Sequence, residues 1–202
     1  MKIKFCGLTN LDSLRHVCAL DADFAGFIFS EQSPRKVEPR FLTQLVDFNF
    51  YQTSPVCVFV NPSIQEVQQA IKILPNSILQ FHGDESDNFC SQFNQPFWKS
   101  IPVKDKQSLL MINNFPSAQA ILLETFSENL YGGTGKSFDW KLLESMDLSK
   151  NFILAGGINS TNIQSAISLN SWCIDINSGV ESELAIKDNS LMTEIMTAFN
   201  HG

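Results

Sequence analysis

Eight short apolar runs recur along this chain, and they restrict its fold more than any other feature of the sequence. Each run reads as continuously apolar rather than alternating, which is typical of strands in a parallel sheet that helices cover. The runs lie at 3–6, 24–29, 56–60, 77–81, 97–101, 120–124, 152–155 and 172–176. Segments with helical periodicity separate most of them, and the stretches 10–22 and 62–74 each place apolar residues on one helix face.

This repeated alternation of strand and helix predicts an α/β fold with a closed, parallel, eight-stranded sheet. An open doubly wound sheet usually has fewer strands, whereas eight strand–helix units fit a (β/α)8 barrel, or TIM barrel, at the small end of its size range. No linker or shift in composition divides the 202 residues. We therefore expect residues 1–202 to form a single (β/α)8 barrel domain.

Composition narrows the classes of partner. The formal net charge is −7 and no block of Lys or Arg appears, so the overall field opposes nucleic acid and no nucleic-acid partner is expected. The longest apolar stretches, such as 56–60, are far too short to span a bilayer, and no membrane partner is expected. An anionic small molecule would therefore have to be held by local groups.

The cysteines indicate a reducing compartment. There are five, widely scattered and without a C-x-x-C pair, which argues against a disulfide framework and a zinc ribbon and predicts a cytoplasmic protein. No cluster of His, Cys and Asp has the spacing of metal ligands, so we expect no metal site. Four of the cysteines, at 18, 57, 90 and 173, are interpreted as core residues.

Chemistry in such a barrel lies where strands end and loops begin. Two of these junctions are rich in glycine: 155–158, with Gly156 and Gly157, and 177–180, with Ser178 and Gly179. Either loop alone could be an ordinary turn. Together, after strands seven and eight, they predict a phosphate site built on backbone amides and helix N-termini.

A third glycine-rich stretch, YGGTGKS at 131–137, looks like a nucleotide P-loop but lacks its first glycine, since Leu130 stands there. We interpret it as a loop over an active site rather than as an ATP site. The stretch FDW that follows it is expected to begin helix six.

Two junction residues are candidates for acid–base chemistry. Cys6 ends the first strand beside Gly7 and a helix N-terminus, a position that can lower the pKa of a thiol and make it a general base; the alternative is an inert core cysteine. Glu124 closes an apolar run, so partial desolvation is expected to raise its pKa and suit it to general-acid work.

Three further junction residues have two interpretations each. Arg35 follows the second strand and could bind a carboxylate or phosphate, or form a surface salt bridge. His82 closes the fourth strand and is either a hydrogen-bonded structural histidine or a catalytic one. Asp175, near the end of the eighth strand, could accept sugar hydroxyls or cap a turn.

Taken together, these junctions resemble the phosphoribosylanthranilate isomerase family. The similarity runs from residue 2 to about 188, in the family's order, through KFCGLTN, GFIF…SPR, VFVN, LQFHGDE, YGGTGKSFDW, ILAGGIN and DINSGVES. The resemblance implies a (β/α)8 barrel that needs no cofactor. It also implies the Amadori rearrangement of N-(5-phosphoribosyl)anthranilate to 1-(2-carboxyphenylamino)-1-deoxyribulose 5-phosphate in tryptophan biosynthesis.

The resemblance also implies roles for individual residues. The family's general base falls on Cys6, its carboxylate-binding arginine on Arg35 and the aspartate of its last strand on Asp175, while its phosphate site falls on the loops 155–158 and 177–180. His82 and Gly133 lie within two of the shared motifs and are expected to bind substrate.

The chain departs from the family pattern at its general acid. The family usually ends strand six with an aspartate, whereas this chain has Glu124, and Asn177 stands where the family often has serine. The implied mechanism is that Glu124 protonates the furanose ring oxygen, the ring opens to an iminium, and Cys6 removes the C2′ proton.

Two other functions fit the same residues. One is a different sugar-phosphate isomerase or epimerase, which would not need Cys6 and Arg35 together. The other is a phosphate-binding protein without catalytic activity, in which Glu124 marks a lost acid. In each case the expected partner is a small molecule, and the chain is expected to be a monomer or a homodimer.

Overall fold

The computed structural model describes residues 1–125, 139–143 and 151–201. Eight parallel strands form a closed barrel in which each strand pairs with its neighbours in sequence and β1 pairs with β8. The strands are β1 (Lys2–Phe5), β2 (Phe24–Ile28), β3 (Ser54–Phe59), β4 (Ile78–Phe81), β5 (Phe97–Val103), β6 (Ala120–Thr125), β7 (Asn151–Leu154) and β8 (Cys173–Ile176). The predicted closed (β/α)8 barrel is confirmed, and every predicted apolar run corresponds to one strand.

Helices follow the strands on the outside of the barrel. They are α1 (Leu11–Ala19), α2 (Pro39–Leu45), α3 (Ile64–Ile73), α4 (Asp87–Ser91), α5 (Lys106–Leu110), α6 (Ile163–Ser168) and α7 (Asn189–Asn200). The predicted helices at 10–22 and 62–74 are α1 and α3, and their side-chain caps fix where they begin. Asn10 Oδ1 accepts from the Ser13 amide at 2.9 Å, and Ser63 and Glu66 form a reciprocal capping box.

A short antiparallel hairpin interrupts the last strand–helix unit and was not predicted. It consists of β9 (Glu181–Glu183) and β10 (Ile186–Lys187), and it follows a 3₁₀ turn at Ser178–Val180. Strands this short carry no readable alternation of apolar and polar residues, which is why the sequence did not reveal them. The hairpin matters because it brings two charged side chains to the barrel rim.

The core has two layers. A larger layer, rich in phenylalanine, lies between the sheet and the helices, and a smaller one fills the barrel interior. Phe24, Trp98 and Trp172 pack against one another inside, with ring centroids 4.9–5.8 Å apart. Phe24 and Trp98 are among the first two residues of β2 and β5, and Trp172 immediately precedes β8. The three rings therefore close the N-terminal end of the barrel. The C-terminal end is left for a site.

Within the described ranges no helix is long and apolar enough to cross a membrane. Whether residues 1–202 form one domain stays a prediction.

Candidate active site

Side chains that alternate along the strands point into the barrel and line its C-terminal rim. Cys6 immediately follows β1, His82 immediately follows β4, and Glu124 and Asp175 lie near the ends of β6 and β8. All four are buried or half-buried. Because all eight strands are parallel, Cys6 and Glu124 lie on the same rim of the barrel. Only β8 and β7 lie between β1 and β6 around the closed ring.

Cys6 is held by backbone pairing and by a glycine. Its amide donates to the Ile176 carbonyl at 2.8 Å, which ties the end of β1 to β8. A Cβ built on Gly26 would lie 2.8 Å from the Cys6 sulfur, so the absence of a side chain at Gly26 leaves the space that the thiol fills. The residue is only 4% exposed.

The electrostatics of Cys6 differ from the sequence expectation. Burial raises the pKa of the Cys6 thiol above its ordinary value, and the nearby ammonium groups of Lys4 and Lys187 offset this only in part. The expected lowering by a helix N-terminus is therefore wrong for the free protein. The expectation fails because the helix N-terminus is too far along the chain: α1 begins at Leu11, and its N-cap Asn10 lies well beyond Cys6.

Lys4 is a site residue that the sequence analysis missed. Its ammonium group is fully buried and donates to both carboxylate oxygens of Asp175 at 2.9 Å. Burial disfavours the charged ammonium, but Asp175 and then Cys6 outweigh burial, and the pKa of Lys4 is raised. The available signal was its position two residues before Cys6, which puts both side chains on the inner face of β1.

Glu124 has two polar contacts on one carboxylate oxygen. Ser100 Oγ donates to Glu124 Oε1 at 2.6 Å, and His82 Nε2 lies 3.2 Å from the same oxygen. Burial disfavours the carboxylate, but His82, Ser100 and Lys99 outweigh it and lower the pKa of Glu124. The expectation that desolvation would raise this pKa is wrong, because the strand neighbours supply donors and positive charge that the sequence run does not show.

Arg35 is paired within the protein. The loop after β2 returns alongside that strand, with the Val37 amide donating to the Ile28 carbonyl at 2.8 Å, and this brings Arg35 to the rim. Arg35 donates from Nε and Nη2 to the two carboxylate oxygens of Glu181, each at 2.7 Å. Glu181 also accepts from Lys187 Nζ at 2.7 Å. The pair is almost fully buried, so the surface salt-bridge interpretation is wrong.

The hairpin therefore contributes two residues, Glu181 and Lys187, that sequence reasoning did not find. Lys187 Nζ also donates to the Asn177 carbonyl and side-chain oxygen, at 2.8 and 2.7 Å. Burial lowers the pKa of Lys187, and the hydrogen bond with Glu181 opposes that effect. This buried network connects Arg35 to the loop after β8.

The two glycine loops after β7 and β8 lie against each other. A Cβ on Gly179 would lie 1.9 Å from the Ile158 carbonyl oxygen, so a side chain there would force the loops apart. Gly156 and Gly157 have φ values of 90° and 66°, which disfavour other residues. Their amides donate to no partner in the described part of the chain, and both residues are half-buried. Ser178 lies beside them at the start of the 3₁₀ turn.

The loop 131–137, including the predicted substrate-binding Gly133, lies outside the described residues. Beyond it, the predicted helix start at FDW is a 3₁₀ turn, Trp140–Leu142, which Asp139 caps by accepting from the Lys141 amide at 3.1 Å. Among the described residues no group of three or more His, Cys, Asp and Glu side chains could hold a metal ion.

A closed eight-stranded barrel whose C-terminal rim gathers a buried thiol, a carboxyl and an imidazole places this chain among the (β/α)8-barrel enzymes. A family model described as N-(5'phosphoribosyl)anthranilate (PRA) isomerase matches residues 3–198. The chain belongs to this family, and the resemblance seen in the sequence is confirmed.

Individual relatives agree with this assignment. The chain is 38% identical over 200 residues to the N-(5'-phosphoribosyl)anthranilate isomerase of Legionella pneumophila (strain Paris). This alignment covers 98% of this chain and 96% of that protein. It is 36% identical over 185 residues to that of Thermoanaerobacter pseudethanolicus, covering 91% and 90%.

Solved structures give the same fold. The phosphoribosyl anthranilate isomerase of Thermotoga maritima superimposes with a TM-score of 0.89 at 26% identity and full coverage of both chains. A phosphoribosyl anthranilate isomerase in complex with reduced 1-(o-carboxyphenylamino)-1-deoxyribulose 5-phosphate superimposes with a TM-score of 0.86 at 25% identity, again over both whole chains.

Proposed function

We propose that this chain converts N-(5-phosphoribosyl)anthranilate to 1-(2-carboxyphenylamino)-1-deoxyribulose 5-phosphate, with Glu124 as general acid and Cys6 as general base. The observation that supports these roles is that both groups are buried on one rim of the barrel, three strand steps apart around the ring. An acid and a base on different sides of a small sugar can act on its ring oxygen and its C2′ hydrogen.

The reaction balances with these two groups alone. Glu124 gives a proton to the furanose ring oxygen, the C1′–O bond breaks, and the nitrogen lone pair forms an iminium with C1′. The Cys6 thiolate then takes the C2′ proton, and the C–H electron pair forms the C1′–C2′ double bond of an enolamine. Tautomerisation of this enolamine, with a proton added at C1′ and one lost from the 2′ hydroxyl, gives the ketone.

The protonation states of Cys6 and Glu124 in the free protein differ from those that the proposed reaction requires. In the free protein the raised pKa of Cys6 keeps the thiol protonated, and the lowered pKa of Glu124 keeps the carboxyl ionised. The working pair, thiolate and carboxylic acid, has the same total charge and differs by the position of one proton. The ammonium of Lys4, which lowers the pKa of the thiol, stabilises the thiolate in this pair.

Substrate binding would use the remaining groups on the rim. The amides of Gly156 and Gly157, together with Ser178 and Gly179 of the adjoining loop, are proposed to hold the 5′-phosphate. Arg35 has five N–H donors and spends one from Nε and one from Nη2 on Glu181, so the others can bind the anthranilate carboxylate while Glu181 fixes the guanidinium plane. Asp175, bound to Lys4, is proposed to accept ribose hydroxyl groups.

The small-molecule partner is thus the phosphoribosylated anthranilate. The Thermotoga maritima relative is described as dimeric in a study of its monomeric variants. For this chain a monomeric or homodimeric state and a cytoplasmic location stay predictions.

The test is turnover of phosphoribosylanthranilate by the purified protein, followed through the change in anthranilate fluorescence. Cys6→Ser should nearly abolish kcat and leave affinity for a reduced product analogue within a few-fold, because a hydroxyl is a poor base near neutral pH. Cys173→Ser is the matched control, since Cys173 is also buried in the barrel interior but belongs to β8 below the rim. Binding of the analogue without turnover by the parent protein would favour a phosphate-binding protein instead.

A further inference from the structure

Gln80 is a buried polar residue of β4 that the reaction just described does not use. It faces the barrel interior, is fully buried, and its side-chain nitrogen lies 2.9 Å from His82 Nδ1. His82 Nε2 in turn lies 3.2 Å from Glu124 Oε1. These contacts form a chain from Gln80 through His82 to Glu124.

The direction of each hydrogen bond in this chain follows from its far end. An ionised carboxylate only accepts hydrogen bonds, so the proton between His82 and Glu124 belongs to His82 Nε2. In a neutral imidazole the other nitrogen, Nδ1, then carries a lone pair and must accept. The Gln80 contact agrees with this independently, since the Gln80 atom 2.9 Å from Nδ1 is the amide nitrogen and not the oxygen.

The hydrogen bonding of Gln80 is incomplete. Its Oε1 is buried and has no hydrogen-bond partner in the described part of the chain. A buried carbonyl oxygen without a partner is destabilising, so this position is suboptimal for stability alone. An apolar residue of similar size would avoid that cost, which indicates that the donor end of Gln80 has a use.

The tautomer of His82 decides where an acidic proton sits on Glu124. With a protonated Nε2 3.2 Å from Oε1 and the Ser100 hydroxyl donating to Oε1, a proton added to Glu124 goes to Oε2, which forms no hydrogen bond with a described residue. With the opposite tautomer, Nε2 would accept, and the proton would lie on Oε1 between Glu124 and His82. A proton held there is unavailable to a substrate.

We propose that Gln80 is a positioning residue for the general acid: by donating to Nδ1 it selects the Nε2–H tautomer of His82 and so keeps the acidic proton of Glu124 on Oε2. This role rests on the proposed function, in which Glu124 protonates the substrate. Gln80 touches no reacting atom and acts through His82.

Two variants of Gln80 test the role. Gln80→Met keeps the size of the side chain and removes the donor, so kcat should fall roughly 10-fold to 100-fold, as when other orienting partners of a functional imidazole are lost. KM should change by no more than a few-fold. Gln80→Glu places a carboxylate beside Nδ1, which should protonate both ring nitrogens of His82, hold Glu124 ionised and lower kcat as well.

The decisive readout is the state of the His82 ring, measured by 15N NMR of the labelled proteins. The chain has only three histidines, and the spectrum of His82→Gln identifies the signals of His82. The parent should show a protonated Nε2 and a lone pair on Nδ1, Gln80→Met a mixture of tautomers, and Gln80→Glu an imidazolium. Gln119→Met is the control at the other end of the barrel, because Gln119 immediately precedes β6 and accepts from Trp98 Nε1 at 3.1 Å, away from the rim.

The outcomes separate this proposal from the one it rests on. A fall in kcat for Gln80→Met without a change of the His82 tautomer would show a merely structural effect and overturn the proposal, as would a changed tautomer with the parent kcat. If Glu124→Gln keeps the parent kcat while the tautomer still follows Gln80, the acid assignment itself is wrong. Thermal unfolding of each variant identifies losses of activity that come from misfolding.

Discussion

At the scale of single residues, the proton that the proposed mechanism needs on Glu124 resides on Cys6 in the free protein. Burial raises the pKa of the Cys6 thiol, while His82, Ser100 and Lys99 outweigh burial and lower the pKa of Glu124. In that mechanism, only the form in which one proton has moved from the thiol to the carboxyl is active. Its share of the protein is constant at every pH between the two pKa values, because moving the proton within the pair leaves the number of bound protons unchanged.

The pH dependence of kcat/KM follows from these directions. The pKa of Glu124 lies below its ordinary value and that of Cys6 above its ordinary value, so neither group changes its protonation over an interval around neutral pH. We expect kcat/KM to be flat over this interval and to fall only outside it, towards the lowered pKa on the acid side and the raised pKa on the alkaline side. Steady-state assays across the interval check this. An inflection near pH 8.5 that is absent in Cys173→Ser controls would contradict a raised pKa for Cys6.

Glu124 itself is tested by two substitutions. Glu124→Gln removes the ionisable proton and should lower kcat by roughly 10²–10⁴, the range for a positioned acid, with little change in binding. Glu124→Asp shortens the side chain and withdraws the carboxyl from Ser100 and His82, which hold it now. We expect a smaller drop in kcat for the aspartate, measured with the same fluorescence assay. If both variants match the parent rate, Glu124 is not the acid.

At the scale of strands and loops, the inner faces of neighbouring strands decide how the reacting groups are placed. β2 pairs with β1, and Gly26 of β2 leaves the space into which the Cys6 sulfur fits. β5 supplies Ser100 and β4 supplies His82 to hold Glu124 of β6. Each reacting group thus depends on a neighbour from an adjacent or nearby strand that is remote in sequence.

Substitution of Gly26 tests this dependence. The Cβ of Gly26→Ala would lie 2.8 Å from the sulfur and 3.0 Å from the Cα of Cys6, so the thiol must shift. A displacement of about 1 Å can cost roughly 100-fold in rate, and we expect kcat to fall by about one to two orders of magnitude. Ala25→Gly, on the outward face of the same strand, is the matched control and should lower only the thermal stability. A Gly26→Ala protein with the parent kcat would show that the thiol position is not critical.

The sequence was sufficient for the parts of the site that depend on position along one strand. The strand ends at Cys6, His82 and Glu124 follow from apolar runs, because chain direction alone places them on one rim. The protonation states were predicted wrongly, since they depend on contacts between strands that no local pattern records. Lys4 sits on the same face as Cys6 and could have been found by alternation, whereas Glu181 and Lys187 lie on a hairpin too short to read.

At the scale of the whole molecule, a net charge of −7 contrasts with the positive groups collected at the rim. Arg35, Lys4 and Lys187 are all buried there, and each is paired with a carboxylate. The overall field therefore repels an anion that the rim must bind. The proposed function therefore assigns recognition of a phosphorylated substrate to backbone amides and to the donors that the buried pairs leave available.

Phosphate binding can be measured without turnover. Inorganic phosphate or the reduced product analogue should raise the thermal unfolding temperature, since a ligand that binds only the folded protein adds about 2.7 kcal/mol at a hundredfold excess over Kd. Gly179→Ala should abolish the shift, because its Cβ would meet the Ile158 carbonyl and separate the two loops. Gly83→Ala is also crowded, by Asn61 Oδ1 at 2.3 Å, but Gly83 lies after β4, and this variant should keep the shift. An unchanged shift in Gly179→Ala would place the phosphate elsewhere.

The aromatic packing at the N-terminal end of the barrel gives this protein an internal optical reporter. Two of its three tryptophans, Trp98 and Trp172, lie edge to face with each other, and Trp98 also lies edge to face with Phe24. Together the three rings join β2, β5 and the start of β8 across the interior. Their indole emission depends on the barrel being closed, while ligands enter at the opposite rim. In a Trp140→Phe variant, which retains only Trp98 and Trp172, tryptophan fluorescence should therefore follow the opening of the barrel during unfolding and be little affected by occupancy of the site, so folding and binding can be measured separately in one sample.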